Sequence, residues 1–203
     1  MILDTIKVAF LKQFRHVKVF AWPMFIVFNP HTYTVKGNHY YEARKLIQPG
    51  DILLRGYNQY LDGYFVPGMY SHAAMYIGGK HERIVHAMTP EVQWTNLCTF
   101  MRCDKFAIIR ANVNKTDTKL AIKRATSLIG IPYDYDFVFE TEDSITKRQF
   151  SCSELCYYAY QKNLAKLNWE IKEHNYIFFT KSLFTPDDCL PTENSSATLI
   201  YTR

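Results

Sequence analysis

Two apolar runs, SHAAMYIGG (residues 71–79) and RIVHAM (residues 83–88), stand either side of a Gly78–Gly79 turn. Runs this short, broken by consecutive glycines, are too brief for stable helices and read as two strands of one hairpin. They constrain the fold more than any other feature, because they commit the middle of the chain to antiparallel pairing. QPGDILLRG (48–56) reads as a turn leading into a short apolar strand, and FAIIRAN (106–112) as a further strand. Leu120, Ala121, Ala125 and Leu128 then hold helical spacing between Thr116 and Ile129, until Gly130 and Pro132 end the pattern. A polar stretch runs to Gln149, SCSELCYYAY (151–160) reads as a second helix, and the tail from Lys181 reads as irregular. Strands come first and helices after, so the expected class is α+β, an antiparallel sheet packed against helices.

The helix at 151–160 carries the clearest chemistry. Ser151 precedes Glu154 by three residues ahead of an apolar run, the pattern of a capping box in which each side chain satisfies a backbone N–H of the first turn. Cys152 falls inside that turn. The free N–H groups and the helix dipole there favour negative charge, so the thiol is expected below about 8.5 and the Cys152 backbone N–H is a candidate oxyanion donor. Cys156, one turn on, is expected in the core.

A thiol nucleophile needs a base, and the hairpin offers two. Gly79 stands midway between His72 and His86, so a symmetrical hairpin makes the two histidines direct cross-strand neighbours, projecting from one face. Nucleophile, base and orienting group are the parts that thiol catalysis requires.

In this order PGDILL, SHAAMYIGG, IVHAM, GIPYDYDF and SCSELCYYAY resemble the circularly permuted branch of the NlpC-type papain-like cysteine hydrolases, nearest the bacterial YiiX-like group. The resemblance runs from about Gln48 to Tyr160. It implies a permuted papain-like fold with the histidine strand preceding the cysteine helix, Cys152 as nucleophile and His72 as general base. At the position of His86 the YiiX-like group usually has glutamate, whereas the related lecithin:retinol acyltransferases often have histidine. The segment SCSEL differs from the NCEHF of those acyltransferases and keeps the match with the bacterial group. Tyr133, in GIPYDYDF, resembles a tyrosine that lines the site of NlpC-type enzymes and helps to bind the oxyanion.

The organisation expected is a helical, amphipathic N-terminal extension over 1–45 and a catalytic domain over 46–203. In the extension Ile2, Ile6, Phe10, Phe14 and Val17 recur at helical spacing beside Lys7, Lys12, Arg15 and Lys18, which allows peripheral membrane contact through residues 1–28. Asp4 and Pro23 interrupt the apolar character and no small-residue cleavage site follows, so the segment is read as mature chain without a signal peptide or membrane span. Five cysteines are an odd number, which disfavours a full disulfide framework and favours a reducing, cytoplasmic compartment. A net charge of +5 is too small to indicate nucleic acid. Cys98 and Cys103 with His81 and His86 match no common zinc spacing, and no nucleotide fingerprint is present, so neither metal nor cofactor is expected. The expected activity is cleavage of an amide or ester through a thioester, on a small-molecule, peptide or acyl-lipid substrate. A lipid acyltransferase or phospholipase using the same site, and a binding module without turnover, are the alternatives.

Overall fold

The computed structural model describes residues 17–19, 26–28, 33–58, 66, 68–135, 149–175 and 180–203. In chain order its strands are β1 (Val17–Val19), β2 (Ile26–Phe28), β3 (Ile52–Gly56), β4 (His72–Gly78), β5 (Arg83–Met88), β6 (Glu91–Asn96), β7 (Lys105–Ala111), β8 (Lys172–Asn175), β9 (Thr180–Leu183) and β10 (Ala197–Thr202). Its α-helices are α1 (Gly37–Leu46), α2 (Leu97–Phe100), α3 (Lys115–Ser127), α4 (Cys152–Ala159) and α5 (Leu164–Leu167).

Among the described residues the principal sheet has six strands in the order β10-β7-β3-β4-β5-β6, with every neighbour antiparallel. Its central strands are apolar at consecutive positions because both faces are covered, and all five residues of β3 are buried. Ile52, Leu54, Ala73, Met75, Val85 and Ala87 face a core shared with Ala121 and Ala125 of α3 and Leu155 and Cys156 of α4. Leu53, Ala74, Tyr76, Ile84 and Phe106 face a second core with Ala43 of α1 and Leu97 and Phe100 of α2.

The α+β class and the strands and helices read between residues 48 and 160 are all present. Three readings need correction. The tail is not irregular: β10 pairs with β7 and extends the sheet, with a register shift between Leu199 and Tyr201. Its residues are half-buried or exposed, so the burial alternation that marks a strand is weak there. Val17, placed by spacing on the N-terminal amphipathic helix, lies in β1, paired with Phe28 of β2; the rest of that helix falls outside the described residues. The β4–β5 register, finally, is not centred on Gly79. It runs Met75↔Val85 and Tyr76↔Ile84, then shifts at Gly78↔Arg83. The turn spans residues 79–82 and is centred between Lys80 and His81; the irregularity, beside Gly78 and Gly79 at φ +85° and +82°, brings the centre of the pairing back only to Lys80, one residue beyond Gly79. Extended toward the start of β4, the register puts His86 opposite Ala74, not opposite His72.

Candidate active site

The offset of two residues keeps His72 and His86 on one face of the sheet, because side chains alternate with a period of two. They are therefore diagonal neighbours, and His72 Nε2 and His86 Nδ1 lie 2.9 Å apart. Both rings are buried, set edge to face at 5.2 Å between centroids, and both stand against Phe100 of α2. The shared hydrogen bond commits Nε2 of His72, so any proton exchange of that ring with a substrate or thiol runs through Nδ1.

Cys152 arrives from the other side of the sheet. The capping box is present, with the Ser151 N–H donating to the Glu154 carboxylate at 2.7 Å and the Glu154 N–H to Ser151 Oγ at 3.4 Å. Two first-turn donors are thereby satisfied, while the Cys152 N–H has no acceptor among the described residues. The β4–β5 pairing ends at Met75↔Val85, so Ala73 does not pair with β5. In that gap the Ala73 N–H, like the Ser153 N–H, stands near enough to the Cys152 sulfur to favour its charged form. The splayed end of the hairpin thus brings a thiol from the α4 face to the residue that follows His72, whose ring projects from the α2 face.

The electrostatics differ from the expectation drawn from the helix terminus alone. Burial pushes the Cys152 thiol up from its ordinary value; the two N–H donors and the Arg55 charge pull it down without prevailing, and Glu154 pushes it further up. Burial likewise holds His72 well below its ordinary value, with the charge of Arg55 and then of His86 adding to the effect, and it lowers His86 to about 3, aided again by Arg55. Desolvation penalises every charged form, so burial favours a neutral thiol and two neutral imidazoles over an ion pair.

Tyr133 is tied to the same place by backbone. It forms a parallel bridge with Phe150, two residues before Cys152, and the bonds Asp134 N–H to Phe150 O (3.1 Å) and Phe150 N–H to Pro132 O (3.1 Å) fasten the GIPY turn to the start of α4. Burial first, and then the Cys152 charge, hold the Tyr133 phenol well above its ordinary value, so its hydroxyl stays protonated and able to donate.

Sequence reasoning missed Arg55. It pairs with His72 across β3–β4, and its guanidinium lies over the Phe100 ring at 4.7 Å and the Tyr57 ring at 5.6 Å. An arginine inside the apolar run DILLRG was the available signal. The segment leading into β4 is held from the far end of the chain, since the N–H groups of Met69 and Tyr70 donate to the Asp187 carboxylate at 2.7 and 2.8 Å.

All five cysteines are free thiols, Cys98 exposed and the other four buried. Among the described residues no group of three or more His, Cys, Asp or Glu side chains is placed to share a metal ion, and no helix is long and apolar enough to cross a membrane. In comparisons with known proteins, no curated sequence matches. A solved structure described as the metalloprotein yiiX from Escherichia coli O157:H7 is similar in fold, with a TM-score of 0.61 at 17% identity, covering 78% of this chain and 98% of that one. The family model for permuted papain-like amidase enzymes of the YaeF/YiiX type matches residues 46–198. With the histidine strand before the cysteine helix and a family match over most of its length, the chain belongs to the permuted papain-like amidases, a family of cysteine hydrolases.

Proposed function

We propose that the protein cleaves an amide bond by acyl transfer to Cys152, with His72 as general base and acid, His86 orienting it, and the Cys152 N–H and Tyr133 hydroxyl receiving the oxyanion. The observation that carries this reading is the Cys152 sulfur at the capped start of α4, beside Ala73 of β4, while the preceding His72 is held through Nε2 by His86 at 2.9 Å.

A neutral resting pair favours general-base catalysis over a stored thiolate. His72 in its Nε2–H tautomer donates to His86 Nδ1 and presents the Nδ1 lone pair. As the sulfur attacks the carbonyl carbon an S–C bond forms, and the thiol proton passes round the open end of β4 to Nδ1 of His72, whose ring stands on the opposite face of the sheet from the sulfur. The negative oxygen is met by an orphan N–H of a helix first turn and by a phenol that stays protonated. Collapse breaks the C–N bond, and the departing amine takes the proton from His72. Water then attacks the thioester, gives a proton to His72, and releases the carboxylic acid while the proton returns to sulfur.

Incubation with 4-nitrophenyl esters of several acyl groups, followed by intact mass and peptide mapping, tests the nucleophile. An added acyl mass on Cys152, absent in Cys152→Ala, is the expected result. Acylation elsewhere, or hydrolysis that survives Cys152→Ala, overturns the assignment.

A further inference from the structure

The proposed reaction leaves Arg55 unused. The residue is 7% exposed, and its Nε is buried with no hydrogen-bond partner. Its Nη2 meets only the thioether of Met88, at 3.7 Å, a weak acceptor. Among the described residues the ion pairs are Arg44–Glu82, Arg110–Asp51 and Lys172–Asp188, and none involves Arg55. Buried charges are costly unless paired, so a cation left this way in the resting protein has a use that pays for it.

Its placement says what that use is. Arg55 stands on β3 and Met88 on β5, with β4 between them, so the side chain reaches across the His72 end of β4 to touch Met88. The free Nε and the thioether-facing Nη2 form the edge of the guanidinium that receives a carboxylate through two parallel bonds. Met88 is half-buried at the end of its strand, and a Met side chain repacks readily, so it can yield that edge to a stronger acceptor. The Phe100 and Tyr57 rings around the guanidinium exclude water and raise what a carboxylate gains. Ser71, beside His72, has a buried hydroxyl that also lacks a partner, and its N–H bonds to the Arg55 carbonyl at 3.0 Å. Two orphaned polar groups therefore lie at the same strand end as the histidine pair.

In the proposed reaction the departing amine must stand by His72 to take its proton. A carboxylate that reaches Arg55 therefore belongs to the amine half of the substrate. We infer that Arg55 receives the carboxylate of the leaving amino acid, which makes the substrate class N-acyl amino acids or peptides cleaved at a free C-terminal residue. The inference rests on the reaction proposed above and adds the identity of the leaving group.

The test compares N-acylglycines with the matching N-acylglycine methylamides, for acetyl, benzoyl and octanoyl groups, measuring kcat/KM from the released amine. Wild type is expected to favour the free carboxylate at least about tenfold, the scale of a charge-assisted bond in a desolvated site. Arg55→Met should bring the ratio to about one, and Arg55→Lys, a point charge without the fork, should keep part of it. Because the ratio is taken within each variant, any general effect of the charge on Cys152 or His72 cancels. Thermal melting supplies a second reading, since loss of an unpaired buried cation should leave the Tm of Arg55→Met unchanged or raised. If 4-nitrophenyl esters acylate Cys152 but the carboxylate amides are cleaved no faster than the neutral ones, this inference fails and the thiol reading stands. A ratio unchanged in Arg55→Met with a lowered Tm would assign Arg55 to structure alone, and absence of any acylation of Cys152 would remove both readings.

Discussion

Replacing His86 with Gln should make the protein less sensitive to acid. His86 is buried and its imidazole is held at about 3, against about 6.5 for a solvated histidine. Between those two values the unfolded chain binds a proton at residue 86 that the folded chain does not. Unfolding therefore takes up a proton, and stability falls as the pH falls through and below about 6.5. At about pH 4.5 the unfolded imidazole is almost fully charged and the folded one almost fully neutral, so this one group costs roughly 2–3 kcal/mol relative to about pH 7.5. That is a large share of a stability of about 5–15 kcal/mol. A glutamine cannot titrate, yet its amide oxygen can still accept the hydrogen bond that His72 Nε2 now makes at 2.9 Å. Urea unfolding of wild type and His86→Gln at both pH values should show wild type losing roughly 2–3 kcal/mol more on acidification. His72, depressed in the same direction chiefly by burial and by Arg55, contributes to both proteins; only its smallest share, the part due to His86, is lost in the variant. Equal losses in the two proteins would mean that residue 86 titrates like an exposed imidazole, and the neutral, desolvated histidine pair would have to be abandoned.

Further outcomes follow from the same geometry. His86→Gln should lower kcat/KM less than His72→Ala, because the amide retains one orienting bond; equal, complete loss would give His86 a direct role in proton transfer. With iodoacetamide near neutral pH the exposed Cys98 should be alkylated before Cys152, whose thiol burial pushes up, and Cys152 labelling should climb as the pH is raised; peptide mapping that finds Cys152 first at about pH 6 would restore the ion pair. Ser151→Ala should cost about 1 kcal/mol in urea unfolding through loss of the cap. Gly68→Ala should destabilise by roughly 1–3 kcal/mol, since Gly68 sits at φ +114° and an added Cβ would come within 2.4 Å of the Asp187 carboxylate carbon; a melting curve identical to wild type would argue against that close approach.

What the sequence determined by itself is whatever rests on neighbours along the chain. The Ser151–Glu154 box spans three residues, the glycine pair marks its own turn, and the helical spacing of Leu120 to Leu128 is one face of one helix, so each was legible without knowing what it packs against. The same holds for the order of His strand and Cys helix. What tertiary structure decided is everything that depends on a partner far along the chain. The strand β10 exists because β7 offers an edge, and its half-exposed residues carry no pattern strong enough to announce it. The histidines meet on a diagonal because the turn is centred beyond Gly79, at Lys80 in the paired strands, which no composition of the turn discloses. The thiol reaches the histidine strand through a gap where β4 and β5 cease to pair, and its charge state follows from burial, a property of the assembled core. A helix terminus pulls a thiol toward thiolate by a local field that can be read from sequence. Desolvation pushes it back by an amount set only when the sheet and helices close around it, and here desolvation is the larger of the two.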